Sequence, residues 1–157
     1  MPTIQAVLDI AAPVEPLFDL AQDYDLRLTW DPFLSEMKFR GGAREAAVGV
    51  RVWVRAKNGL AMEVEYITLR RPEQVAMKMV DGPRMFSQFS GAWLFKSLGD
   101  ERTRVTFRYN FACRPRVLAW ALEPVVARVL RRDMQARLIG LQRHAEGPDN
   151  LLARVRR

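Results

Sequence analysis

Few side chains in this sequence could do covalent or acid–base chemistry. His144 is the only histidine, and a general base needs a partner and a pocket, neither of which its neighbours supply. Near the end of a helix it reads as a favourable partner for the helix dipole. Cys113 is the only cysteine. It follows an aromatic strand and precedes Arg114, the pattern of a small core residue and not of a nucleophile. One histidine and one cysteine give no zinc constellation. There is no GxGxxG, no P-loop lysine motif and no GxSxG elbow. No catalytic residue, metal ligand or cofactor is therefore assigned. Tyr66 and Tyr109 could orient a carbonyl or quinone oxygen with their hydroxyls, or satisfy them at a rim against water. Arg51 and Arg55 flank Trp53, and they would polarise a carbonyl only if their strand turned that face inward.

What the sequence has in quantity is apolar side chains at spacing two. Met62, Val64 and Tyr66 share one strand face, as do Met77 and Met79, then Phe89, Trp93 and Phe95, then Phe107, Tyr109 and Phe111. With Trp30 and Phe33 as a wall or gate, and Leu122 and Val126 from a helix, these are the candidate ligand-binding residues. Methionine adapts to irregular apolar shapes, which suits a variable ligand. The competing reading is that all of them simply fill a core.

The elements that hold these residues follow from period and punctuation. Thr3 to Ala11 reads as a strand. Pro13 opens a short helix to about Gln22, and Asp25 caps a second one through Trp30, stopped by Asp31-Pro32. Leu34 to Arg40 is a strand. Val48 to Lys57 alternates, with Val50, Val52 and Val54 on one face and Arg51, Trp53 and Arg55 on the solvent face. Asn58-Gly59 signals a two-residue hairpin. Four further strands end in Val105 to Cys113, whose strict alternation marks an antiparallel sheet with one wet face. From Pro115 to Gly147-Pro148 runs a long helix with Leu118, Leu122, Val125, Val126, Val129, Met134, Leu138 and Leu141 at three-four spacing. Pro124 inside it predicts a kink about one turn upstream. The sum is an α+β chain of strand, two short helices, six strands and one long helix. A bent sheet of six or seven strands is too wide for one helix to plug along its whole length. The remainder either fills with large side chains or stays open.

This order resembles the START-like (SRPBCC) superfamily with its helix-grip fold. The likeness is carried by Pro13-Val14-Glu15-Pro16-Leu17-Phe18-Asp19-Leu20, Asp25, Trp30-Asp31-Pro32, Asp81-Gly82-Pro83, Gly91, Trp93, Phe95 and Leu98-Gly99-Asp100, then Pro115, Leu118, Pro124, Val129, Leu130 and Arg131. The later segments are most similar to the coenzyme Q-binding and polyketide cyclase/dehydrase branch. These are turn and packing residues, which specify architecture more than chemistry. The resemblance implies a cavity between sheet and long helix that takes a lipid, an isoprenoid quinone or a polyketide-like molecule.

With 157 residues, 49% of them hydrophobic, the chain suits one domain with a real core, over residues 1–147. Residues 148–157 read as a basic, flexible tail. The net charge of +7 is uneven: residues 1–113 carry 15 basic and 14 acidic side chains, and the rest ten arginines against four acids. That segment could meet an anionic membrane at its periphery, a protein partner or RNA, or be a solvated helix face. The alternation around Arg51-Trp53-Arg55 is common to exposed strands and makes a weak case for nucleic acid. Met1 to Ile10 does not read as a signal peptide, no run of roughly 18 apolar residues is present, and a single cysteine suits a reducing cytoplasm. The expected function is binding or carriage of a hydrophobic small molecule, with a polyketide cyclase or aromatase and a basic interaction module as the alternatives. The oligomeric state is left open.

Overall fold

The computed structural model describes residues 2–147. Strand β1 (Thr3–Ile10) is followed by helices α1 (Val14–Gln22) and α2 (Tyr24–Trp30). Strands β2 (Leu34–Phe39), β3 (Arg51–Ala56), β4 (Ala61–Arg70), β5 (Gln74–Asp81), β6 (Phe86–Gly99) and β7 (Arg102–Cys113) come next. A 3₁₀ turn over Arg116–Leu118 leads into the 28-residue helix α3 (Ala119–Glu146). All seven strands pair antiparallel in the order β1-β7-β6-β5-β4-β3-β2. This is the α+β helix-grip architecture that the alternating strands and long terminal helix lead one to expect.

The α3 helix packs on β1 and β7, at one side of the sheet. Only its C-terminal half is sealed: Met134, Leu138, Leu141 and Ala145 are buried with Ile10, Leu17, Leu20 and Val105. In its N-terminal half the apolar stripe is largely uncovered, Val125 being 64% exposed and Leu122 38%. The stripe read from Leu118 to Leu141 is therefore continuous in sequence but buried only where β1 and β7 lie beneath it. Side-chain bonds tie the helix at both ends. The Cys113 backbone N–H donates to Glu123 at 3.1 Å, and the Ala11 N–H to Glu146 at 2.6 Å.

Three local expectations need correction. The N-cap of α2 is Asp23, not Asp25, because its carboxylate accepts from the Asp25 and Leu26 N–H groups at 2.9 and 3.4 Å, the second and third positions of the helix. The β3–β4 connection is a four-residue loop and not a two-residue hairpin. Only Gly59 takes positive φ (93°), while the Asn58 side chain accepts from the Leu60 N–H at 3.0 Å in an Asx turn. Strand β3 also begins at Arg51, three residues later than the valine alternation predicts, because Gly49 turns the chain at φ 89°. The tail expected at residues 148–157 lies outside the described residues.

Gly140 sets how closely α3 approaches the end of α2. A Cβ there would collide with the Trp30 carbonyl oxygen and press on Pro32 at 3.1 Å. Gly140→Ala should therefore lower stability by about 1–3 kcal/mol, although alanine is favoured in a helix by about 1 kcal/mol. Urea unfolding measures this, and a stabilised variant would disprove the close approach.

Candidate functional site

Between the N-terminal half of α3 and the concave face of the sheet lies a cavity of about 280 Å³. Its walls come from β2 to β7, the end of α1, α2 and α3, and they are predominantly apolar. Strand parity decides which side chains face it. Of the candidate residues, Phe33, Met62, Val64, Tyr66 and Met77 line it, as do Phe89, Trp93, Phe107, Tyr109 and Val126.

Five candidates do not. Trp30 is buried edge-on against Trp93, with ring centroids 6.3 Å apart, and its indole N–H has no partner among the described residues. Phe95 lies beyond Trp93 on β6, where α1 covers the sheet and Phe18 packs at 5.2 Å. Phe111 is fully buried near the end of β7 against Phe86. Met79 leans on Gly82, where a Cβ would come within 2.7 Å of its sulfur. Leu122 stands outside the cavity wall, over the uncovered half of α3. The three strand residues share the inward parity, but their position along the strand puts them under other covers.

Arg51 and Arg55 sit on the convex face. They pair with Glu65 at 3.5 Å and Glu36 at 3.3 Å, and Arg55 lies over Trp53 at 4.9 Å. Cys113 is buried, and burial, assisted by the Glu123 carboxylate, pushes its thiol up. His144 occupies the last turn of α3, its Nδ1 2.9 Å from the Gly140 carbonyl oxygen. Among the described residues no group of His, Cys, Asp and Glu is placed to hold a metal ion.

The polar end of the cavity rests on residues that the pattern reading passed over. Arg27 on α2 and Arg137 on α3 are 4% and 6% exposed, and both line the cavity. Asp31, just after α2, lies between them: its Oδ2 accepts from Arg27 Nε at 2.9 Å and from Arg137 Nε at 3.0 Å, with Arg137 Nη2 in ion-pair contact at 3.0 Å, and its Oδ1 accepts from the Phe33 N–H at 3.0 Å. Arg27 Nη1 donates to the Ala21 carbonyl at 2.6 Å, and Arg137 Nη1 to the Tyr109 hydroxyl at 2.7 Å. Aromatic faces flank both guanidiniums. Arg27 lies 4.8 Å from the Trp30 ring, and Arg137 lies 4.8 Å from Phe107 and 5.0 Å from Phe33. Gly91 makes the Tyr109 contact feasible, since a Cβ there would meet that ring at 2.9 Å. Nearby, the Tyr24 and Tyr66 hydroxyls are hydrogen-bonded to each other. Burial pushes both phenols up, as it does Tyr109, so all three keep their protons at neutral pH.

Burial alone would raise the Asp31 carboxyl. The Arg137 and Arg27 charges, the Phe33 N–H and the Arg27 hydrogen bond outweigh it and hold the group below its ordinary value of 3.8. A depressed carboxyl stabilises the fold above its unfolded pKa, and that contribution is lost as pH falls through the folded one. Asp31→Asn should cost about 3–5 kcal/mol, because it leaves two buried guanidiniums without their anion. It should also flatten the fall of stability on acidification below about pH 4. Urea midpoints from pH 3 to 7 test both, and equal stability of variant and parent across that range would refute the role given to Asp31.

Residues 1–146 match the family described as polyketide cyclase / dehydrase and lipid transport. No curated protein matches the chain in sequence. Similar folds are found in TTHA0849 from Thermus thermophilus, with 20% identity, TM-score 0.76, and 98% of this chain and 99% of that one covered. A START superfamily protein from Mycobacterium smegmatis shares 12% identity at TM-score 0.75, with 92% and 97% covered. The Zhui aromatase/cyclase from a Streptomyces species shares 18% at 0.71, with 93% and 98% covered. At these identities the likeness establishes the START-like fold alone.

Proposed function

Because the chain belongs to the polyketide cyclase / dehydrase and lipid-transport family, we propose that it binds and carries a hydrophobic small molecule of lipid, isoprenoid or polyketide type. The observation that carries this reading is the unfilled apolar cavity under the N-terminal half of α3, which the inward methionines and aromatics leave open. Burying a methylene contributes about 0.8 kcal/mol. Micromolar affinity requires about 8 kcal/mol net, so a chain of ten or more carbons, partly desolvated, is the relevant size once association costs are included. The single, buried thiol of Cys113 supports a reducing, cytoplasmic setting.

A second reading is a cyclase that folds a poly-β-keto chain and polarises its carbonyls. Arg55 cannot serve it from the convex face. Arg27 and Tyr66, which line the cavity, favour it instead, since guanidinium and phenol donors can polarise a carbonyl oxygen. Native mass spectrometry and titration with medium-chain lipids and quinones test the carrier reading. Binding is expected in the parent, and Val126→Trp, which fills the cavity from α3, should weaken it at least tenfold with an unchanged circular dichroism spectrum. Undiminished binding in that variant, or an empty parent that binds no probe, would remove the carrier reading. Turnover of a poly-β-keto thioester would replace it with the cyclase.

For the partner surface we propose peripheral contact with an anionic membrane. Val117 and Trp120 are 77% and 78% exposed, beside an open groove lined by Arg84, Arg114 and Arg116. Met85 borders both this groove and the cavity, so the patch adjoins the cavity. Apolar side chains that can insert, ringed by arginines, match a bilayer with acidic headgroups. No helix among the described residues is long and apolar enough to cross one. Sedimentation with phosphatidylserine-containing vesicles should show binding that weakens about fivefold on Arg116→Gln, and further on Trp120→Ser. Equal binding to pure phosphatidylcholine vesicles would overturn this.

A further inference from the structure

Resting on the carrier reading, we propose that the ligand is a carboxylate-headed amphiphile, whose anionic head sits against Arg27, Gln22 and the Tyr24–Tyr66 pair at the inner end of the cavity. The first ground is charge. Two guanidiniums are buried at that end and a single carboxylate, Asp31, is enclosed with them. The other nearby acid, Asp133, also borders the cavity but is less enclosed, and burial pushes its carboxyl up against the opposing pull of Arg137 and Arg132. The aromatic faces over Arg27 and Arg137 attract these cations without neutralising them. A cavity end that holds two cations to one fully buried anion is complementary to a monoanion.

The second ground is the hydrogen-bond inventory, which is independent of charge. Gln22 lines the cavity, and its Nε2 is fully buried without a partner among the described residues. Arg27 commits Nε to Asp31 and Nη1 to Ala21, and its Nη2 makes no hydrogen bond among the described residues. Tyr24 and Tyr66 share one hydrogen bond, which uses one hydroxyl proton of two and leaves the other to donate. The unused capacity at this end is thus mainly N–H and O–H. An alcohol or amide head would satisfy part of it; a carboxylate has about four acceptor sites and no competing donor. The apolar wall formed by Met62 and Met77 then takes the chain.

The test is calorimetric titration with decanoate, 1-decanol and methyl decanoate at neutral pH. Decanoate is expected to bind at least tenfold more tightly than either neutral probe. Arg27→Met, which leaves Asp31 and Arg137 as a balanced pair, should abolish that preference while retaining decanol binding. Gln22→Leu, on a less buried residue, should reduce the preference about threefold or more. Equal affinity for the three probes in the parent overturns the carboxylate assignment and leaves the carrier reading standing. Failure of all three, with the protein folded, overturns both. A preference that survives Arg27→Met and Gln22→Leu unchanged also overturns the assignment.

Discussion

Asp31 is the point on which the site depends. A carboxylate removed from water must be met by donors, and here it is met by two arginines from two helices and by the backbone of the chain as it enters β2. The same three groups therefore close one end of the cavity, fix where α3 crosses the sequence after α2, and hold Tyr109 by its hydroxyl. Gly140 one turn along α3 allows the approach that the ion pairs require. A tie of this kind is poor evidence of net stability, because desolvation offsets much of the attraction. Its structural consequence is specific: α2, α3 and β7 have one mutual arrangement in which the Asp31 carboxylate is met by both arginines and Arg137 also reaches Tyr109.

The cavity itself follows from a mismatch of areas. Seven strands present a concave face, and α3 lies along the β1–β7 side of it. Where the helix runs over β1 and β7, Met134, Leu138 and Leu141 reach the sheet and close the core. Toward its N-terminus the helix forms one wall of the cavity through Val125, Val126, Val129 and Leu130, and the gap to the side chains of β4 to β7 is not completely filled. Large residues such as Trp93, Phe107 and Tyr66 fill part of the gap, and Gly91 and the two methionines leave the remainder open.

Much of the architecture was legible because hydrophobic period reports directly on exposure. Strict alternation in β7 and in β3 gave the inward and outward faces correctly, down to Arg51 and Arg55 on the convex side. What period cannot give is the identity of the cover above an inward residue, which is why Phe95, Phe111 and Met79 shared parity with cavity residues and yet packed elsewhere. The charged trio was hidden for a different reason. Arg27 and Asp31 look like solvated residues of a short helix and its stop, although they stand four apart, as an ion pair on one helix face does. The readable signal was Arg137, three residues after Met134 and next to Leu138, on the same stripe as Leu141. An arginine on the buried side of an amphipathic helix requires an internal anion, and Asp31 is the nearest one that the fold supplies.

The division of α3 into a sealed and an uncovered half separates two kinds of selection along one continuous helix. Changes at Met134, Leu138 or Leu141 are felt by the whole fold, because those side chains close the core. Changes at Val125 or Val129 alter the contour presented to a guest but remove little buried area, so their effect on folding is small. A lineage can thus change the shape of the cavity by drifting at the front of the helix while the back remains fixed. Relatives that keep the scaffold at very low sequence identity are the expected outcome of such a partition.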